Sequence, residues 1–172
     1  MGPGSLEKLD NLLPAALQAS VWTLCNTARW QFGHLSTNPQ DPQFWKMELD
    51  GDTVIDALWR AVQPKCQQLA GHGLRVIRQY ANGHTYGLGG QIHTDDTQAQ
   101  YYTFLYYPML EWRAEWGGET VFYHPTGDLA AAIAPAPNRG LFFDSRILHT
   151  GRAPNRSFGG LRVTIAFKLG PA

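Results

Sequence analysis

The sequence predicts a mainly β fold with N-terminal helices (α+β): an antiparallel barrel or double-sheet jelly roll covered on one sheet by helices. Two observations carry this. Apolar residues at three-and-four spacing are confined to the part of the chain before Gly73, whereas short apolar or alternating runs separated by Gly, Pro and Asn fill the rest. At 172 residues the chain is too short for two ordinary domains, so a single domain over 6–172 is expected.

Taking the elements in order, 6–28 carries Leu9, Leu12, Leu13, Ala16, Leu17, Val21, Leu24 and Cys25 on one helical face, interrupted by Pro14. This predicts a short first turn ending near Leu13, then a helix using Pro14 in its first turn, where a missing N–H costs little. Residues 38–42 form a turn-rich connection and 44–49 an early strand. A second helix is expected over 53–69, capped by Asp52, with Val54, Ile55, Leu58, Trp59 and Val62 on one side. Gly71 and Gly73 stop it, and Pro64 predicts a kink or restart. Strands follow at 74–80, 91–94, 101–107, 119–123, 140–143 and 161–169. No repeat or low-complexity tract interrupts them.

Composition excludes several functions. With 44% hydrophobic and 16% charged residues, and 14 basic against 14 acidic side chains, neither a disordered chain nor an electrostatically driven nucleic-acid or anionic-membrane binder is expected. Cys25 and Cys66 lie far apart, outside any Cys-x-x-Cys pair, which argues against a disulfide framework or thiolate zinc site and for a reducing cytoplasm. No membrane span or signal peptide is legible, and Met1 to Ser5 reads as a cloning remnant.

Three short motifs carry chemistry. In an extended segment, side chains two apart share a face, so His93 and Asp95 of Gln91-Ile-His-Thr-Asp95 point together. His149, where an apolar strand runs into a polar turn, supplies a second imidazole. Two His and one carboxylate form the facial triad that suits Fe(II) and leaves positions open. Each His alone also reads as a hydrogen-bonded residue at a strand end. In 161–168, Val163, Ile165 and Phe167 face a covering layer, while Arg162, Thr164 and Ala166 share the other side. An Arg inside a barrel is costly unless an anion pairs with it, and a small dicarboxylate fits a guanidinium fork beside a hydroxyl.

The order His93-Thr94-Asp95, then Gly117-Gly118-Glu119-Thr120, then Leu141-Phe142-Phe143 before His149, then Arg162-x-Thr164, resembles the Fe(II)/2-oxoglutarate-dependent oxygenases, in particular their prolyl-4-hydroxylase-like branch. The resemblance spans about 74–169. It implies a double-stranded β-helix (jelly-roll, cupin-like) core, with iron on His93, Asp95 and His149. The remote carboxylate of 2-oxoglutarate would lie on Arg162 and Thr164, with Tyr80 and Tyr107 nearby.

The His149 to Arg162 gap is longer than the family usually has, which leaves Arg152 and Arg156 as alternative carboxylate partners. The implied activity is hydroxylation of a C–H bond in a small molecule or an amino-acid or peptidyl side chain, consuming O₂ and releasing succinate and CO₂. Asp95 favours this over halogenation, because related halogenases lack that carboxylate. Trp112 and Trp116 on a loop between core strands, and Arg146 before His149, are candidate substrate contacts; His34, His72, His84 and His124 are left out of the site. Two rival readings are a zinc-dependent hydrolase or isomerase on a cupin-like fold, and a noncatalytic jelly-roll binding module.

Overall fold

The computed structural model describes residues 5–36 and 38–172; the first four residues of the expected remnant lie outside them. In chain order the elements are β1 (Leu6–Leu9), α1 (Ala15–Cys25), β2 (Gln31–His34), β3 (Phe44–Glu48), α2 (Thr53–Ala70), β4 (Leu74–His84) and β5 (Tyr102–Tyr107). A 3₁₀ turn at Ala114–Trp116 precedes β6 (Thr120–Tyr123), β7 (Leu129–Ile133), β8 (Arg139–Asp144), β9 (Leu148–Gly151) and β10 (Arg162–Pro171). Two antiparallel sheets result, one of seven strands in the order β1-β8-β5-β10-β4-β3-β2 and one of three, β7-β6-β9. This is the double-sheet architecture expected.

The helices cover the outer face of the large sheet. Asp52 caps α2 by accepting from the Val54 N–H at 3.0 Å, and Gly71, at φ 79°, ends it in the left-handed conformation that glycine adopts freely. Contrary to expectation, α2 continues as one helix through Pro64. The carbonyl that loses its partner there belongs to solvent-exposed Arg60, and the buried stripe Ile55, Leu58, Trp59, Val62, Cys66 and Ala70 holds the helix to the sheet on the opposite side. Trp59 stacks on Phe167 with ring centroids 5.5 Å apart, so the odd positions of β10 face the helices as the alternation predicts.

Other expectations are corrected. Leu6–Leu9 is not a helical turn but a strand, its backbone paired antiparallel with β8 from Leu6 opposite Phe143 to Leu9 opposite Gly140, which extends the edge of the large sheet. Residues 91–94 form no strand; only an isolated bridge joins His93 to His149, with N–H···O=C bonds of 3.0 and 2.9 Å in the two directions. Strand β4 runs four residues beyond the expected end, to His84.

Candidate metal centre and its cavity

His93 and Asp95 sit on the loop between β4 and β5, and His149 on β9, so the His93–His149 bridge ties loop to strand at the point where ligands must meet. One ligand atom from each of the three lies within 4.8 Å of the others. Both imidazoles are oriented from behind. His93 Nδ1 is 2.8 Å from the Gln91 carbonyl oxygen and His149 Nδ1 is 2.9 Å from that of Ile147, which fixes the Nδ1–H tautomer and leaves each Nε2 lone pair turned toward Asp95, at 3.3 and 3.5 Å. Burial pushes the His149 pKa down to about 4, with Asp95 opposing, so its ring is neutral and available as a ligand near neutral pH. The Thr103 hydroxyl donates to Asp95 Oδ2 at 2.5 Å and holds the carboxylate in place. Two imidazoles backed by carbonyls and a fixed carboxylate, with no fourth ligand in the cluster among the described residues, fit a redox-active divalent ion with open positions.

A residue that sequence reasoning missed adjoins this cluster. Lys168 on β10 forms an ion pair with Asp95 Oδ2. Burial opposes the charges of both groups, yet their mutual attraction wins: the Lys168 pKa lies above, and that of Asp95 well below, the ordinary value. The signal was present, since Lys168 continues the even-numbered series Arg162, Thr164, Ala166. All four line the cavity next to His93 and His149.

Cross-strand register stacks the cavity in layers. Along β10 and β4, Arg162 stands opposite His84, Thr164 opposite Asn82, Ala166 opposite Tyr80 and Lys168 opposite Arg78. At the deep end Arg162 is only 1% exposed, and no carboxylate among the described residues lies within ion-pair distance. Its Nε donates to the Gly118 carbonyl at 2.5 Å and its Nη2 to Thr120 Oγ1 at 3.0 Å; the Tyr107 hydroxyl is 2.6 Å from that same oxygen. Burial keeps the Tyr107 phenol protonated by raising its pKa. Gly151 is required here, because a Cβ would come within 2.8 Å of His84 Cε1 and 3.3 Å of Arg162 Nη1.

His84, excluded from the site on sequence, is a wall of this end: Nδ1 lies 3.3 Å from Arg162 Nη1, and its buried Nε2 and the Oδ1 of Asn82 have no partner. Burial, then Arg162, hold its pKa well below the usual histidine value. On sequence it has no partner at ligand spacing, and the strand expected over 74–80 ends short of it.

Other candidates lie elsewhere. Tyr80 lines the cavity with Thr164. Arg152 and Arg156 are exposed on the β9–β10 loop. Trp112 and Trp116 pack with Phe158 at centroid distances of 4.7 Å, behind Gly118 and the Arg162 side chain, and neither lines the cavity that holds the triad. Arg146 does not line that cavity either; it closes a fork on Asp144, with Nε and Nη2 donating at 2.9 and 2.6 Å.

Comparison with known proteins agrees with this geometry. Residues 78–167, just over half of the chain, match the model of the 2OG-Fe(II) oxygenase superfamily. No curated protein sequence matches. Similar solved structures include a 2OG-Fe(II) oxygenase family oxidoreductase from Burkholderia pseudomallei, with a TM-score of 0.78 and 13% identity, covering 96% of this chain and 84% of that one. A prolyl hydroxylase from Trichoplax adhaerens, in complex with a hypoxia-inducible-factor peptide, gives 0.70 and 18% over 96% and 83%. HygX from Streptomyces hygroscopicus, with nickel, 2-oxoglutarate and hygromycin B bound, gives 0.74 and 12% over 98% and 84%. These likenesses establish a shared fold, and the family match sets aside the zinc-hydrolase and binding-module readings. The chain belongs to the 2OG-Fe(II) oxygenase superfamily: it is an iron- and 2-oxoglutarate-dependent oxygenase related in fold to the prolyl hydroxylases.

Proposed function

We propose that His93, Asp95 and His149 hold Fe(II), that Arg162, Thr164 and Tyr107 receive the remote carboxylate of 2-oxoglutarate with Tyr80 along the cavity wall, and that the enzyme hydroxylates a C–H bond of a small molecule or an amino-acid or peptidyl side chain. The observation that carries this reading is a three-ligand cluster whose two imidazoles line one cavity together with a guanidinium that, among the described residues, has no carboxylate within ion-pair distance. Iron and 2-oxoglutarate together supply the oxidative chemistry, consuming O₂ and releasing succinate and CO₂.

The chain's own part is orientation. Gln91 and Ile147 carbonyls aim the imidazoles, Thr103 steadies Asp95, and Gly118 and Thr120 hold the guanidinium so that its free edge meets an incoming carboxylate. Arg162 is favoured over Arg152 and Arg156 as the clamp because only its side chain is buried and faces the cavity. Ala166 leaves room between the two ends. Trp112, Trp116 and Arg146 are not part of this reading.

We further infer a single domain working in a reducing cytoplasm without nucleic acid or membrane: Cys25 and Cys66 are free and buried, and among the described residues no helix is long and apolar enough to cross a membrane. Anaerobic reconstitution with Fe(II) and 2-oxoglutarate, followed by O₂, is expected to release succinate in a manner that depends on His93 and His149. Succinate release unaffected by replacing both histidines would reject the assignment.

A further inference from the structure

The mouth of the cavity carries two cations that the proposed chemistry leaves uncompensated. Lys168 and Arg78 stand directly opposite each other on the inner face of the β10–β4 pair. Like charges in that position destabilise a sheet unless something anionic sits between them. Arg78 is exposed, its guanidinium lies 4.6 Å from the centre of the Tyr80 ring, and no carboxylate among the described residues is within ion-pair distance of it. Lys46, a third cation 5.2 Å from that ring, is already matched by Glu48. Asp96 lines the same depression as Arg78 and Lys168, but its Oδ1 accepts from the Thr97 and Gln98 N–H groups at 2.7 and 2.9 Å.

Among the described residues the one carboxylate paired with Lys168 is Asp95, assigned to the metal, and the Tyr80 ring lies beside its ammonium. With iron and 2-oxoglutarate bound, the two charges of the ion balance the two of the cosubstrate, and Arg162 balances Asp95. Lys168 and Arg78 then outnumber Asp96, the remaining carboxylate of that depression, by one positive charge at the rim.

We propose that the substrate carries an acidic group, a carboxylate or phosphate, which docks between Arg78 and Lys168 and thereby presents a neighbouring C–H bond to the triad. This rests on the functional reading above and adds the substrate's charge class to it. The planar fork of Arg78 receives two oxygens of the anion, and the flexible ammonium of Lys168 shares itself between that anion and Asp95. Tyr80, below both, sets how deep the anion can sit.

The test uses the full chain saturated with Mn(II) and 2-oxoglutarate, so that added anions do not compete for the Arg162 end. Mn(II)-dependent binding of 2-oxoglutarate is measured first by calorimetry; its absence in the wild type rejects the functional reading and this proposal with it. Matched probes are then titrated: N-acetylaspartate amide against N-acetylasparagine amide, N-acetyl-O-phosphoserine amide against N-acetylserine amide, and N-acetylalanine against its amide. The acidic member of at least one pair is expected to bind about tenfold tighter. Which pair responds tells a side-chain carboxylate, a phosphate and a main-chain carboxylate apart. Arg78→Gln should erase that preference and Arg78→Glu reverse it, while 2-oxoglutarate affinity stays within about twofold. The proposal is overturned if 2-oxoglutarate binds but no pair differs by more than twofold, or if the preference survives Arg78→Glu.

Discussion

The two ends of the cavity handle charge in opposite ways. At the base, Arg162 is a cation with neutral partners only: Gly118, Thr120, His84 and the Tyr107 ring at 5.7 Å. At the mouth, Asp95 is a carboxylate already matched by Lys168 and by two imidazoles. The Arg162 charge is therefore costly until an anion arrives, whereas the Asp95 charge is already matched and must exchange Lys168 for a metal when one binds. Ligand binding relieves a cost at one end and breaks a bond at the other.

The largest effect lies at the mouth. Asp95→Gly or His149→Ala removes one of three protein ligands, and metal affinity measured by equilibrium dialysis should fall more than about 100-fold, with succinate release lost in parallel. Full activity in either variant would mean that the metal sits elsewhere.

A second pair of substitutions separates the ends by sign. Lys168→Met leaves Asp95 buried without its cation, and the apoprotein should lose on the order of 3 kcal/mol in denaturant melts, the usual cost of breaking a buried pair from one side. Arg162→Met removes a buried charge that has no ion-pair partner among the described residues and only the more distant Glu119 to offset it, so the apoprotein should be unchanged or more stable by about 1 kcal/mol. The same Arg162→Met protein should need roughly 100-fold more 2-oxoglutarate while binding metal normally. Equal destabilisation by both changes would erase the distinction between the two ends.

These differences also explain which parts were legible in the sequence. β10 was readable because its strict alternation sorts Arg162, Thr164 and Ala166 from Val163, Ile165 and Phe167, and each side chain's direction follows from its position. The candidate triad stood out by residue type and order, two His and one carboxylate being a set that suits Fe(II) and leaves positions open. β1, β2, β7 and β9 went unread: each has only four or five residues, and in Leu129–Ile133 both the half-buried Ala131 and Ile133 and the exposed Leu129, Ala130 and Ala132 are apolar, so no alternation marks the strand. His84 was hidden behind Gly83 in a strand that looked finished. Gly83 is tolerated there because the Leu161 side chain occupies the place of its missing Cβ. The loop tryptophans misled for a related reason: a sequence gives their size, but only packing against Phe158 fixes which end of the barrel they close.

The smallest effect extends the comparison to protons. His34 sits against Phe44 and Tyr80, and burial, then Lys46 and Arg78, push its pKa down to about 4; His84 at the base is also held well below 6.5. In the unfolded chain both rings titrate near 6.5. Below that pH the unfolded state takes up protons that the folded state refuses, so stability is full above pH 6.5 and declines as pH falls toward 4. Asp95 does not offset this decline, because a carboxylate with a depressed pKa contributes its stability throughout that window and loses it only below the unfolded value of about 3.8. Apoprotein melts from pH 7.5 to 4.5 should therefore show a steady fall, reduced in a His34→Gln variant and reduced further when His84→Gln is added, while the His149 ring, also pushed down to about 4, leaves part of the fall in both variants. A flat profile would mean that both rings charge freely in the folded state, and that the base of the cavity is wetter than its packing around Arg162 implies.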